Sequence, residues 1–358
     1  MNISVISFTD QGRLLAERIK SSLPDRKIER YHKPEQGVTR WAGEQFAGNR
    51  AIVFIGACGI AVRAIAPFVK DKLWDSPVLV LDERGRYVIP ILSGHVGGAN
   101  ELAELIAERI GANAVITTAT DINGKFAVDL FARKNALTIL NKEGIAGVSA
   151  KVLRGEKVTF SIEGNGESVQ DDENPIPKEI EWIEYPPKKK VDVVISTVTE
   201  SSAGVENGSL EKQAALWLKP KEYVLGIGCK KGKTKEEIAD FIQENLAKAG
   251  LRVSDVAVIA SIDRKKKEEG ICQWAEAQRI PFQTFSEEEL WEVEGSFHGS
   301  EFVKQIVGVD NVCERAALAA CGTEGKLVLQ KQAENGMTLA VAKRKWKIAW
   351  GGGFCYEA

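Results

Sequence analysis

Three short apolar runs do most to restrict how this chain can fold. Ala51-Ile52-Val53-Phe54-Ile55, Pro77-Val78-Leu79-Val80-Leu81 and Val88-Ile89-Pro90-Ile91-Leu92 are each of strand length and carry no polar side chain. A strand with one wet face alternates apolar and polar residues, whereas an unbroken run suits a strand covered on both faces. Helical patterns fall around these runs: LLAERIKSSL, IAVRAIAPFV and ELAELIAERIGA. Such alternation predicts an α/β fold with a mostly parallel sheet. Ile3–Phe8, Lys27–Tyr31 and Ala114–Ala119 read as further strands, and helices are expected over 39–46 and 127–137. Arg84-Gly85-Arg86 is a tight turn that leaves an antiparallel pairing of Val88–Leu92 open.

The pattern changes beyond residue 140. Val158–Ile162 and Val191–Ser196 read as strands on either side of a polar stretch, EGNGESVQDDENPIPKEIEW. Residues 171–190 have little apolar material to offset ordering entropy, so a surface excursion or partial disorder is expected. A second α/β block opens at Glu222-Tyr223-Val224-Leu225-Gly226-Ile227-Gly228 and continues into the helix KEEIADFIQENLAKAG. Thr234 with Glu237 makes a capping-box pattern at its start. Strands at 254–263 and 281–285, and helices at 300–307 and 312–320, are expected next. Asn335-Gly336 is a strong hairpin-turn signal near the C-terminus. The chain of 358 residues therefore divides into an N-terminal α/β domain (1–140), a small loop-rich middle domain (141–218) and a C-terminal α/β domain closing with a β-hairpin (219–358).

Charge and composition exclude several classes. A formal net charge of −2 gives no bias toward nucleic acid or a membrane surface. No apolar run approaches the ~18 residues of a membrane span. The N-terminal MNISVISFTDQGRLL has no basic segment before its apolar run and reads as a first strand, not a signal peptide. Six cysteines are scattered without any C-x-x-C. That pattern argues for reduced thiols in a cytoplasm and against a disulfide framework or structural zinc. No Cys/His/Asp cluster has metal-ligand spacing, so no protein metal site is expected.

The strongest chemical signal is YVIPILSGHVGGAN, residues 87–100. A buried strand delivers Ser93-Gly94-His95, then Gly97, Gly98 and Asn100, directly before a helix whose first N–H groups lack intrahelical partners. Two readings stay open. His95 could move protons near neutral pH while Ser93, Asn100 and loop N–H groups hold an oxyanion, or the loop is only a tight turn. Asp82, Glu83 and Asp121 follow predicted strands, the edge where open α/β sheets bind ligands; turn and capping duty is the alternative for each acid. Gly56-Ala57-Cys58-Gly59 with Arg63 is a second strand-to-helix glycine turn. Its glycines and Arg63 suit an anion, and Cys58 is expected to be a small buried side chain, an activated thiolate at the helix start being the alternative. Gly228, Lys230 and Lys231 form a third glycine loop suited to carboxylates or phosphates, without a complete nucleotide fingerprint. The basic run 264–267 is flanked by acids and reads as a solvated helix end, and His298 as a loop residue.

Several of these blocks together resemble one family. GACGIAVRAIAP, VLVLDERGRYVIPILSGHVGGANELA and ITTATDINGKFAVD resemble the N-terminal domain of the CbiG family of cobalamin biosynthesis. VLGIGCKKG, ASIDRKKKEEG and SEFVKQIVGV resemble its C-terminal domain, which also occurs alone as CobE. Lys230 and Lys231 stand where arginines are common, which keeps charge but loses bidentate geometry. Gly299 stands where the family often has proline. The resemblance implies a cobalt-precorrin-5A hydrolase of the anaerobic route. Such an enzyme opens the δ-lactone between the ring A acetate and the extruded meso carbon, then releases acetaldehyde to give cobalt-precorrin-5B. It implies a cobalt-corrinoid substrate, no cofactor of the chain's own since the cobalt is part of the substrate, and channelling with neighbouring corrin-pathway enzymes. Under that reading His95, Asp121, Ser93 and Asp82 are the catalytic candidates. Gly56, Gly59, Arg63, Lys72, Gly94, Gly97, Gly98, Asn100, Gly228, Lys230 and Lys231 are the substrate-binding ones. A non-catalytic corrinoid carrier is the alternative.

Overall fold

The computed structural model describes residues 2–71, 73–169, 175–198, 214–295, 297, 309–322 and 324–350. The chain separates into two compact units, Met1–Leu130 and Phe131–Ala358.

In the first unit the elements are β1 (Ile3–Ser7), α1 (Asp10–Ser22), β2 (Ile28–His32), α2 (Val38–Ala47), β3 (Ala51–Ile55) and α3 (Cys58–Ile65). They continue through β4 (Val78–Leu81), β5 (Tyr87–Leu92), α4 (Ala99–Ile110), β6 (Asn113–Ala114), α5 (Ala119–Ile122) and α6 (Val128–Lys134), the last crossing into the second unit. The strands form one sheet in the order β2-β1-β3-β4-β5-β6. β1 to β4 are mutually parallel, β5 runs antiparallel to β4, and β6 runs with β5. The runs of β3 and β4 are buried on both faces, as their lack of alternation requires, whereas in β5 only Val88 is buried and Ile89 to Leu92 are half-buried. Val5, Val53, Ile55 and Leu79 meet α1 and α4 on one side. Ile6, Ile52, Phe54 and Val80 meet α2 and α3 on the other. Phe54 and Trp41 are fully buried and pack edge to face at 5.8 Å. Truncating Phe54 to alanine would cost about 3–5 kcal/mol.

Local chemistry sets the helix ends. The Thr9 side chain accepts from Gly12 N at 3.0 Å and starts α1. Gly111, at φ 65°, ends α4 in the left-handed conformation that a Cβ disfavours. The strand expected over 114–119 shortens to Asn113–Ala114. Beyond Val115, whose N–H donates to Val88 O at 2.9 Å, the chain leaves the sheet edge and turns into α5.

The second unit holds two sheets. The first comprises β7 (Leu137–Ile139), β8 (Val158–Ile162), β9 (Ile180–Ile183), β10 (Val191–Ile195) and β11 (Ala214–Pro220), in the order β7-β11-β10-β8-β9, with α7 (Glu143–Leu153) beside it. β9 lies inside the segment expected to be an excursion. Its Ile180 is buried and it pairs in parallel with β8, so a single edge strand of four residues is carried by its neighbour. The second sheet has the order β14-β13-β12-β16-β15. Its elements are β12 (Tyr223–Cys229), α8 (Lys235–Lys248), β13 (Val256–Ile262), α9 (Glu269–Gln278), β14 (Phe282–Phe285), α10 (Glu287–Glu292), α11 (Val312–Cys321), β15 (Lys326–Glu334) and β16 (Met337–Lys343). The Thr234–Glu237 capping box forms at the start of α8. Asn335 and Gly336 both take positive φ (50° and 76°) at the β15–β16 turn, as a two-residue hairpin with native twist requires. β7 and β11 pair across the residues where the sequence suggested domain edges at 140 and 218. The helix expected at 300–307 and the loop histidine His298 lie outside the described residues. Among the described residues no helix is long and apolar enough to cross a membrane.

Candidate active site

The antiparallel pairing of β5 decides where the histidine loop emerges. Leu92 lies opposite Val78 and Val88 opposite Leu81. The loop after β5 therefore leaves at the end of the sheet where β4 begins. Because β6 runs with β5, both strands also end there. They form a parallel pair joined by α4, with its own carboxyl edge, and that edge is where α/β units present ligand-binding loops.

Hydrogen bonds shape the loop itself. Ser93 has a left-handed φ of 57°, and its hydroxyl donates to Asp75 O at 2.9 Å. Its carbonyl accepts from Ala99 N at 3.1 Å, Gly94 O from Asn100 N at 3.1 Å and His95 O from Gly98 N at 3.0 Å. Gly97 is required by close approach: a Cβ there would lie 2.4 Å from Ser93 Cβ and 2.7 Å from Ser93 O. At Gly94 it would lie 2.7 Å from Asn100 Oδ1. The N–H groups of Gly94, His95, Val96 and Gly97 have no acceptor among the described residues.

His95 is enclosed by acids and hydroxyls. Its Nε2 lies 3.0 Å from Asp121 Oδ2 and 3.0 Å from Thr120 Oγ1. Its Nδ1 lies 3.5 Å from Asp129 Oδ1. Asn100, buried at the start of α4, donates through Nδ2 to Asp121 Oδ2 at 2.5 Å and to Thr118 Oγ1 at 3.0 Å. The hydrogen bond that the ring gives to the Asp129 carboxylate holds the imidazole above its ordinary value. Burial opposes this, and the negative charges of Asp129 and Asp121 reinforce it. The structure thus brings together Ser93, Gly94, His95, Gly97, Gly98, Asn100 and Asp121. The Ser93 proton and both Asn100 N–H groups are already engaged, so loop backbone N–H groups are the donors left.

Asp82 lies elsewhere. It follows β4, at the opposite end of that strand from the histidine loop. Its carboxylate accepts the N–H groups of Arg84, Arg86 and Tyr87, each at 2.9 Å. It shapes the β4–β5 turn and is not brought to His95. Glu83, also at that end, accepts from Thr9 Oγ1 at 2.9 Å. Gly56, Gly59 and Arg63 follow β3 at the same end, since Ile55 pairs with Leu81. Arg63 is exposed, 3.4 Å from Gly59 O. Cys58 is exposed, not buried as expected, because the face of α3 turned to the sheet is Ala61, Ala64 and Ile65. Lys72 lies outside the described residues. Gly228, Lys230 and Lys231 are in the second unit. A Cβ on Gly228 would meet Thr338 Oγ1 at 2.7 Å, Lys230 N donates to Gly336 O at 2.8 Å, and both lysines are exposed. Among the described residues no group of three or more His, Cys, Asp and Glu side chains is arranged to hold a metal ion.

Sequence reasoning missed Asp129 and Thr120. Asp129 looks like an ordinary first-turn acid of α6, and Thr120 like the polar neighbour of an aspartate. No spacing rule ties either to a histidine more than twenty residues earlier.

Fold and site together define the class: an α/β protein that sets a histidine among carboxylates at a glycine-built loop beside a helix start. Comparison with known proteins makes the family specific. Residues 40–121 match the family described as Cobalamin synthesis G N-terminal, and residues 223–342 match Cobalamin synthesis G C-terminus. The chain is 34% identical to the cobalt-precorrin-5A hydrolase of Salmonella typhimurium, over 95% of this chain and 97% of that protein. It is 31% identical to the cobalt-precorrin-5A hydrolase of Priestia megaterium, over 88% of this chain and 86% of that protein. Its C-terminal part is similar to Protein CobE of Sinorhizobium, 33% identical over 33% of this chain and 78% of CobE. The chain belongs to the CbiG family of cobalamin biosynthesis.

Proposed function

We propose that this protein hydrolyses cobalt-precorrin-5A, opening the ring A acetate δ-lactone and releasing acetaldehyde to give cobalt-precorrin-5B. The observation that carries the reading is the His95–Asp121 pair at 3.0 Å, seated in a partly exposed glycine loop. Lactone opening needs a water deprotonated as it attacks the carbonyl, and donors for the resulting oxyanion. The His95–Asp121 pair supplies the proton transfer, and the unpartnered N–H groups of Gly94 to Gly97 are the available donors. Opening leaves a hydroxyl on the carbon that bears the methyl group. Removing that hydroxyl proton breaks the carbon–carbon bond to the macrocycle, releases acetaldehyde and leaves the electron pair on the ring system, which is then protonated. One water is consumed and no electrons are exchanged with any other molecule.

In this scheme the cobalt travels with the substrate, and the chain needs no cofactor of its own. The exposed Lys230 and Lys231 carry charge that suits carboxylates. Free thiols at Cys58, Cys229, Cys272, Cys313 and Cys321 suit a cytoplasmic setting, where product can pass to neighbouring corrin-pathway enzymes. The test is turnover. Purified protein with cobalt-precorrin-5A should release acetaldehyde well beyond one equivalent, and His95→Ala should slow release by ~10²-fold or more. Stoichiometric binding without acetaldehyde would identify a carrier instead.

A further inference from the structure

The cluster around His95 fixes more than the presence of an acid–base pair. We infer that Asp121 is the group that takes the proton, through its Oδ1, and that His95 is held as an imidazolium between Asp121 and the buried Asp129. This rests on the functional reading above and assigns roles within it.

His95 Nε2 faces Asp121 Oδ2 at 3.0 Å and Nδ1 faces Asp129 Oδ1 at 3.5 Å. A neutral imidazole has one N–H, so one nitrogen would turn a lone pair toward a carboxylate oxygen. An imidazolium gives each carboxylate a donor. The side chains of His95 and Asp129 are only 14% and 10% exposed, so water does little to relieve the mismatch of the neutral form. The charged groups set against the ring are Asp121, from α5, and Asp129, from α6. Thr120, also from α5, can donate to Nε2 or accept from it and does not decide between the forms. A histidine held in this state has no free nitrogen with which to take a proton.

Asp121 does have a free position. Its Oδ2 receives both His95 Nε2 and Asn100 Nδ2, which fixes the plane of the carboxylate. Its Oδ1 has no donor among the described residues. Its side chain, at 30% exposed, is the most open of the cluster. Asp129 is therefore a positioning residue that acts through His95, and Asp121 is the catalytic base.

The proton balance closes on this one carboxylate. Asp121 takes a proton from water as the hydroxide adds to the lactone carbonyl. The ring C–O bond breaks, and the alkoxide takes that proton back. Asp121 then removes the same hydroxyl proton as the carbon–carbon bond breaks. It delivers the proton to the macrocycle carbon that keeps the electron pair.

The first test needs no substrate. The chain has three histidines, so ring ¹⁵N spectra of the full-length protein are sparse, and His95→Gln identifies the His95 signals. Both ring nitrogens should report imidazolium at pH 7 in the wild-type protein. Asp129→Asn should move the titration of His95 to lower pH. A neutral His95 ring at pH 7 in the folded wild-type protein overturns the inference, whatever the variants do. The second test is the pH profile of kcat/KM for acetaldehyde release. With Asp121 as base and His95 as the cation that orients it, activity falls as pH rises and the imidazolium is lost. Asp129→Asn then brings that fall to lower pH, and Asp121→Asn lowers kcat by about 10²-fold or more. Activity that instead rises through the imidazole titration and stays high makes neutral His95 the base. If wild-type protein releases no acetaldehyde, the functional reading fails, while the spectra still decide the charge state of His95.

Discussion

Asp82 offers a sharp test of how strand direction sorts these residues. It follows an apolar strand, as catalytic acids of α/β enzymes often do, yet its carboxylate accepts three backbone N–H groups of the β4–β5 turn. In Asp82→Ala all three lose their acceptor. A hydrogen bond contributes about 0.5–1.5 kcal/mol net, and more to a charged acceptor. The turn is solvent-accessible, so water replaces part of the loss. The expected destabilisation is about 1–3 kcal/mol. Urea unfolding should report it as a lower midpoint with unchanged slope, and Asp82→Asn should recover part of it because the amide oxygen still accepts. Acetaldehyde release per folded molecule should change by less than about threefold, since a free-energy difference of 1.4 kcal/mol would be needed for a factor of ten and no bond connects Asp82 to the histidine loop. A fall of ~10²-fold in turnover with an unshifted unfolding midpoint would refute this reasoning and return Asp82 to the chemistry.

Further outcomes follow from the same geometry. Gly97→Ala places a Cβ against Ser93 Cβ and O. A displacement of the loop by ~1 Å can cost on the order of 10²-fold in rate, so kcat should fall far more than far-UV circular dichroism changes. Lys230→Ala combined with Lys231→Ala should raise KM with kcat nearly unchanged, and should shift stability by no more than about 0.5 kcal/mol because both side chains are exposed. His95 gains its carboxylate partners on folding and its value is raised above 6.5. The stability it contributes is therefore complete below pH 6.5 and is lost as pH rises through the raised value. Denaturation midpoints of wild-type protein should fall across that window by more than those of His95→Gln. Thr234→Ala removes the cap that accepts from Glu237 N and should cost about 1 kcal/mol.

Much of the first sheet was legible because its code is local. Ala51–Ile55 carries the double-sided burial of β3 in five consecutive residues, and Asn335-Gly336 carries its own turn. The middle segment was harder. β9 is four residues of mixed burial in a polar context, and only pairing with β8 makes it a strand. β7 and β11 meet from positions about eighty residues apart, so neither announces its partner. Cys58 illustrates a smaller failure of the same kind: apolar neighbours suggested burial, but the helix face was set by packing of Ala61, Ala64 and Ile65.

The cluster around His95 divides along similar lines. Ser93 to Asn100 could be recognised because glycines, a histidine and a helix start are contiguous. Asp121 could be suspected because it follows a strand pattern. Asp129 gave no such sign, since its partner His95 is reached through the fold. The antiparallel turn at Arg84–Arg86 is the reason these residues sort as they do. If β5 had run with β4, its loop would have shared an edge with Asp82, Gly56 and Arg63. Because β5 reverses, Asp82 is left to shape a turn, and the histidine loop meets α5 and α6. The direction of one strand thus separates the two sets of acids. It gives His95 two carboxylates of unequal exposure, the buried one to hold its charge and the open one free to act on a substrate.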